Sequence, residues 1–510
     1  MNEILINLAA GFGDIMTVSN IFWITFGGFL GTIIGMLPGL GPATGVAILI
    51  PLTFGMDPTT ALATMVSIYF GAMFGGSRAS ILLNTPGDGG AIAATFDGYP
   101  MAKDGRAGEA LAISAIASII GGLIAVVFLT LLSQPISKLA IKFGPQQYTM
   151  LMAFALIATS TISRGNMLKG LFATFIGLMV STIGADYLTG TTRFTMGIPE
   201  LYQGIDFLVL IIGFYAIGEV YNNFDKLLYV KENEKTASEI KVNKVALTKG
   251  EFKECILPII RSTPLGFLIG VLPGAGATIA TMVAYSTEKK LHKDPDSFGK
   301  GNIIGLAVPE AANNAAATGA IIPMLTLGIP GSGTTAVMIG ALMMIGVKPG
   351  PLFFTTQGHI AWAVVASMFI SNLILLFINL PLATQLVKVL KTPPKILLPC
   401  VITLGFIGTY SLTYSILDFG IIVGFGLLGY FVKKLDIPVA TFILALILGV
   451  KLETSFRQAM LIGKGDFGIF ASDPITIFFI AATIISIAGP RLSAALSLKK
   501  KSNKPMKKAS

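Results

Sequence analysis

Gly31-Thr-Ile-Ile-Gly35-Met-Leu37-Pro38-Gly39-Leu-Gly41 closes one long apolar run, and its skeleton returns as Gly266-Phe-Leu-Ile-Gly270-Val-Leu272-Pro273-Gly274-Ala-Gly276. Proline removes a backbone donor and glycine is a poor helix former, so both copies predict a helix that stops abruptly. Each run is long enough to enter a bilayer, which puts the stop at membrane depth. Irregular backbone is tolerated there only where protein or a watery cavity surrounds it. Two such stops in corresponding halves of a chain point to a transport site.

The composition agrees. At 510 residues, 53% hydrophobic and only 12% charged, with mean hydropathy +0.78, the chain far exceeds the apolar share of a soluble domain and reads as a polytopic, all-α membrane protein. Residues 1–20 show neither a positively charged n-region nor a small-residue cleavage site, so the first span is read as retained. The net charge of +10 owes much to Lys499, Lys500, Lys501, Lys504, Lys507 and Lys508. Beside a final apolar span, this basic tail (491–510) marks the cytoplasmic side of the membrane rather than a nucleic-acid arm. Cys255 and Cys400 form no metal spacing and no disulfide framework.

In chain order, Gly27, Gly31 and Gly35 recur every fourth residue on one helical face, a pattern that lets helices approach closely in membranes. Residues 43–54 are apolar but too few to span, which predicts a re-entrant segment or half of a discontinuous helix. A second break follows at Pro86-Gly87-Asp88-Gly89 and is repeated at Pro330-Gly331-Ser332-Gly333, so each half carries two. The mixed-charge stretch 222–254 reads as a solvated linker between a first half (1–221) and a second (255–490). The loop around Asp57-Pro58 has no Lys or Arg, whereas that around Asp294-Pro295 carries Lys289, Lys290, Lys293 and Lys300. Cytoplasmic loops collect such residues, so the halves are predicted to be inverted-topology repeats, with roughly 12 to 14 membrane-inserted segments in all.

A helix broken inside a membrane bares N–H groups at one new end and C=O groups at the other. The first can receive an anion and the second a cation, without a full charge placed in lipid. Asn84, Thr85, Pro86 and Gly87 in the first half, and Gly331, Ser332, Gly333, Thr334 and Thr335 in the second, are accordingly candidate substrate contacts. The plainer reading of the hydroxyls and amides is helix capping or interhelical bonding. Asn313 and Asn314 could serve substrate or cation, and are counted here with the substrate. Gly39, Gly41, Gly274, Gly276 and Glu310 are candidate cation contacts, since a carboxylate at membrane depth must be paired, protonated or facing a cavity. Pairing with Arg78 is the alternative for Glu310, and snorkelling is the alternative for Arg78 itself. His292 and His359 are isolated, so no transition-metal site and no cofactor is expected.

Five longer phrases add a resemblance. Leu-Pro-Gly-Leu-Gly-Pro-Ala-Thr-Gly-Val (37–46), Ile-Leu-Leu-Asn-Thr-Pro-Gly (81–87), Asp-Gly-Tyr-Pro-Met-Ala (97–102), Pro-Glu-Ala-Ala-Asn-Asn-Ala-Ala-Ala (309–317) and Leu-Gly-Ile-Pro-Gly-Ser (327–332) occur in this order. Together they resemble the large membrane subunit of bacterial tripartite tricarboxylate transporters, the TctA family. The resemblance implies a secondary uptake transporter for citrate or related carboxylates, coupled to Na+ or H+. It also implies an extracytoplasmic solute-binding protein and a small membrane subunit as partners, and leaves room for a homo-oligomer. An anion channel, or uptake of a different small organic solute, is the alternative. The sequence has no His-Glu-x-x-His motif, no cysteine cluster and no phosphate-binding loop, which counts against an enzyme.

Overall fold

The computed structural model describes all residues except 1, 38–39, 163–166, 187, 230–241, 243–244, 275, 390–393 and 503–510. The first half opens with α1 (Asn2–Ile15), α2 (Val18–Met36), α3 (Pro42–Leu49), α4 (Pro58–Leu83), α5 (Ile92–Met101) and α6 (Ala107–Ala140). It continues with α7 (Pro145–Ile162), α8 (Met167–Ser181), and α9 (Phe207–Ile211), which runs through a π-helical turn into α10 (Gly218–Tyr229). The second half holds α11 (Lys249–Val271), α12 (Gly276–Leu291), α13 (Ile303–Leu327), α14 (Gly333–Met344), α15 (Phe353–Thr356) and α16 (Gly358–Asn379). Then come α17 (Ala383–Val389), α18 (Pro394–Thr413), α19 (Leu417–Lys434), α20 (Val439–Ile462) and α21 (Pro474–Ser502). The only strands among the described residues are Gly184–Ala185 and Thr192–Arg193, a short antiparallel hairpin tied to α20 by Arg457–Asp186 and Arg193–Glu453 ion pairs.

Seven helices among the described residues are long and apolar enough to cross a membrane, and shorter apolar helices, including the Pro42–Thr53 and Gly333–Met344 segments, accompany them. The chain is thus a nearly all-helical, multi-pass membrane protein. The stretch 222–254 is helical at both ends, through α10 and α11. Helix α13 is long enough to span but is not among the seven. Pro309, Glu310, Asn313 and Asn314 lower its hydropathy, and it can afford them because every residue from Ile303 to Thr326 is buried in protein rather than lipid.

The same local rules build both halves. Asp57 caps α4 by accepting the Thr59 and Thr60 N–H groups at 2.9 and 3.1 Å, and Asn302 caps α13 through Ile304 and Gly305 at 2.8 and 3.3 Å. Both helices end on a residue in the left-handed region, Asn84 at φ 53° and Gly328 at φ 66°. Helix α2 lies on α4 with no room for a side chain: a Cβ on Gly31 would sit 2.3 Å from the Ile68 carbonyl oxygen, and one on Gly35 would sit 2.1 Å from that of Ala72. Helix α11 repeats this on α13, where Gly266 and Gly270 would meet the carbonyls of Ala312 and Ala316 at 2.5 and 2.3 Å. The small-residue periodicity is therefore a backbone-to-backbone seam. Replacing Gly35 with valine should cost about 1–3 kcal/mol or more through overpacking. Gly13→Ala, where a Cβ meets nothing within 4 Å, should leave stability unchanged or slightly raised. Thermal unfolding of the two variants in detergent checks this; equal midpoints would mean that the α2–α4 seam is not tight.

Candidate functional site

Helices α2 and α11 stop in the same way. Leu37 after α2 and Leu272 after α11 turn extended, at φ/ψ of −79°/120° and −75°/122°. The chain then restarts as α3 and α12, leaving unpaired backbone groups that need partners away from water. The second break of the same half supplies them: the Gly41 N–H donates to the Gly87 carbonyl at 3.3 Å, and the Gly274 N–H to the Gly331 carbonyl at 3.1 Å. Glycine is required at Gly274, whose φ is +80° and where a Cβ would fall 2.1 Å from Thr159 Oγ1. Gly87 is wedged as tightly, with a Cβ 2.6 Å from both the Gly35 carbonyl oxygen and Gly76 Cα.

All four breaks open onto one cavity of about 550 Å³. Gly41 to Thr44 come from the start of α3, and Pro86 to Gly89 with Ile92 from the approach to α5. Gly274 and Gly276 to Ile279 begin α12, while Pro330 and Ser332 to Thr334 begin α14. Four helices therefore point their N-terminal ends at the same space, where their unpaired N–H groups and dipoles favour negative charge. The walls add hydroxyls from Tyr69, Thr159, Tyr215 and Thr278. Their charges are three acids, Asp88, Glu219 and Asp436, and one base, Lys433. Lys433 on α19 pairs with Glu219 on α10, which is buried and also accepts from Asn222 and Asn223 at 3.2 and 3.0 Å.

The candidate residues separate into two groups. Pro86, Gly87, Ser332, Gly333 and Thr334, together with Gly41, Gly274 and Gly276, line the cavity. Gly39 lies outside the described residues. Asn84 and Thr85 are exposed and do not line it; Asn84 is the left-handed C-cap of α4. Gly331 and Thr335 stand just behind the lining, where Thr335 forms a capping box with Ser332. Glu310 is also off the cavity wall, buried between helices, and its Oε2 accepts from Ser114 and Ser118 of α6 at 2.9 and 3.1 Å. Arg78 is buried too, but its guanidinium donates to the Asn379 carbonyl at the end of α16 rather than to Glu310. Asn313 and Asn314 lie one turn beyond Glu310, fully buried. Among the described residues, neither polar atom of the Asn313 side chain, nor Oδ1 of Asn314, has a hydrogen-bond partner. Each such orphan costs on the order of 1–3 kcal/mol, so this cluster calls for an explanation.

Sequence reasoning passed over Asp88, Tyr69, Tyr215, Thr278, Glu219 and Lys433. Asp88 had a visible signal, an acid inside a Pro-Gly break, and so did Thr278, two residues past Gly276; Tyr69, Tyr215, Glu219 and Lys433 carry no such mark in the sequence. A second cavity, of about 520 Å³, lies among α7, α8, α20 and residues 467–471. Its lining is mostly apolar and its one charge is the acid Glu453, so it offers an anionic solute no positive group.

Residues 21–444 match the family described as "Tripartite tricarboxylate transporter TctA family". An uncharacterized 52.8 kDa protein in the TAR-I ttuC' 3' region of Agrobacterium vitis is 38% identical over 487 residues, covering 96% of each chain. An uncharacterized protein in the TAR-II ttuC' 3' region of the same organism is 40% identical over 222 residues, 44% of this chain and 92% of its own. No solved structure matches. Within the site, Ser332→Ala removes the hydroxyl that accepts the Thr335 N–H at 3.2 Å. It should destabilise the first turn of α14 by about 1 kcal/mol. Amide exchange there should quicken in the alanine variant and recover in Ser332→Asn; unchanged exchange would remove Ser332 as the cap.

Proposed function

The chain belongs to the tripartite tricarboxylate transporter TctA family, and from that premise we propose that it is a cation-coupled secondary transporter taking up small carboxylates by alternating access. The family implies an extracytoplasmic binding protein that delivers the solute and a small membrane subunit beside this one. The observation that carries the reading is the convergence of four helix N-termini on one cavity large enough for a small organic anion. Partial positive charge from backbone N–H groups can hold carboxylate groups without a buried arginine. Ser332, Thr334, Thr278 and the two tyrosines supply hydroxyl donors for the remaining oxygens. Glu310 is the proposed acid of the coupling cation, proton or sodium.

Inverted repeats are part of the proposal, and helix directions support them. Gly98 of α5 sits against both Ile81, near the end of α4, and Leu306, near the start of α13. Tyr69, further back in α4, shares the cavity with Pro330 and Ser332, which follow the end of α13. Helices α4 and α13, which hold the same place in the two halves, thus run in opposite senses. Sidedness has support as well: Arg106 reaches both Glu251 at 3.5 Å and the Gly301 carbonyl at 3.3 Å. This gathers the lysine-rich loops at the starts of α6, α11 and α13 at one end, which we assign to the cytoplasm. The basic tail after residue 490 is assigned to the same side, in the inner membrane.

Reconstituted vesicles containing the chain, its small subunit and the binding protein test the reading with labelled citrate and other carboxylates under imposed sodium or proton gradients. Saturable uptake that follows one gradient is expected; conductance independent of any gradient would instead make the protein an anion channel. Among the described residues Lys433 is the one base on the cavity wall, and Glu219 keeps its two asparagine donors when the lysine leaves it. Lys433→Gln should therefore raise KM about tenfold, the worth of one charge-assisted hydrogen bond, while Glu219→Gln, by freeing Lys433, should lower it. Parallel changes in both variants would reduce the pair to a structural tie between α10 and α19.

A further inference from the structure

We propose that a monovalent cation with the chemistry of sodium binds between the Asp88–Gly90 loop and the Asn313 turn of α13, held by a carboxylate oxygen of Asp88 and the amide oxygen of Asn313. Its role in coupling rests on the transport reading above; its binding does not. The first observation is the pair of asparagines. Asn313 is 0% exposed, yet its Oδ1 and Nδ2 have no partner among the described residues. Asn314 spends its Nδ2 on the Glu310 carbonyl at 3.2 Å and leaves Oδ1 unpartnered. A helical residue and its successor point about 100° apart, so of the two amides it is Asn313, orphaned at both polar atoms, whose oxygen is the acceptor available to a positive group beside the next loop.

The second observation is what lies against them. The loop after the first Pro-Gly break presses on Asn313 so closely that a Cβ on Gly90 would sit 2.4 Å from Oδ1. Two residues earlier that loop carries Asp88, on the cavity wall, one of whose oxygens accepts the Ala91 N–H at 3.2 Å. That bond occupies one oxygen in the turn that leads into α5. Carboxylate and amide oxygens with no thiolate or imidazole are a donor set for hard cations, not for zinc, copper or iron. Glu310, proposed above as a coupling acid, stands a turn back with its Oε2 served by two serine hydroxyls and is a separate position from this one; the new site brings the single carboxylate of Asp88, and a single positive charge balances it.

The placement gives a reason for coupling. Asp88 shares the cavity with the helix N-termini expected to hold the solute, and an anion there meets a like charge. A cation on Asp88 cancels that repulsion, so the loaded form binds carboxylate more tightly, and by linkage the carboxylate tightens the cation equally. The site also joins the halves: Asp88 belongs to a break of the first and Asn313 to a helix of the second.

The test is thermal unfolding of the purified full chain in detergent, titrated with sodium chloride against choline, potassium and calcium chlorides at constant ionic strength. A saturable rise in Tm with sodium over choline is expected in the parent, with no rise in Asp88→Asn or Asn313→Leu. If Asn313→Leu fails to fold, Asn313→Asp keeps the oxygens and should shift the sodium midpoint instead. The proposal is overturned if sodium and choline act alike, if only calcium acts, or if the variants titrate like the parent. Since no transport is measured, a sodium response without carboxylate uptake in vesicles would refute the transport reading and leave the site standing.

Discussion

Hydrocarbon offers no water to an unpaired amide, and most of this architecture follows from that one constraint. A helix that stops at membrane depth must have its free N–H and C=O groups met by protein or by a cavity. Here each break is met by another break: Gly41 bonds to Gly87 in the first half, and Gly274 to Gly331 in the second. The backbone groups left over from these pairings face one cavity, which makes the irregular backbone a cavity wall rather than a defect in the packing.

Bringing two breaks together requires that their parent helices touch almost backbone to backbone. The glycines of α2 and α11 permit this, and α13 does its part with alanines, its central run of small residues letting α6 and α11 close around it. A helix so enclosed sees protein on all sides, and that is why it can carry Glu310, Asn313 and Asn314 where a lipid-facing helix could not. Packing by small residues and burial of polar ones are thus two consequences of the same crowded centre.

The electrostatics of the cavity are those of dipoles more than of charges. Acids outnumber bases on its wall, and the single lysine is already paired, so affinity for an anion has to come from helix N-termini and from cations that silence the acids. Under the proposed transport reading, a wall of this kind couples anion and cation through Coulomb attraction alone. It also keeps the empty site from holding an arbitrary anion strongly, since the uncompensated acids oppose it.

How far this was legible in sequence divides along a physical line. The repeated Leu-Pro-Gly-x-Gly and Pro-Gly-x-Gly phrases determined a helical membrane protein with two breaks per half, because proline and glycine act on their own backbone within a few residues of themselves. The fourfold spacing of Gly27, Gly31 and Gly35 likewise announced a tight seam, since helical periodicity is local. Which side chains meet at the breaks was not local at all. Asn84 and Ser332 look alike as polar neighbours of a Pro-Gly pair, yet one is an exposed C-cap and the other an N-cap on the cavity wall. Nothing near Tyr69 or Lys433 marks them as its neighbours, and Arg78 and Glu310, natural partners by charge, are served by different helices. The sequence by itself determined where the backbone must break. Only the tertiary structure decided what those breaks enclose, because that depends on contacts between residues hundreds of positions apart, set by how whole helices pack.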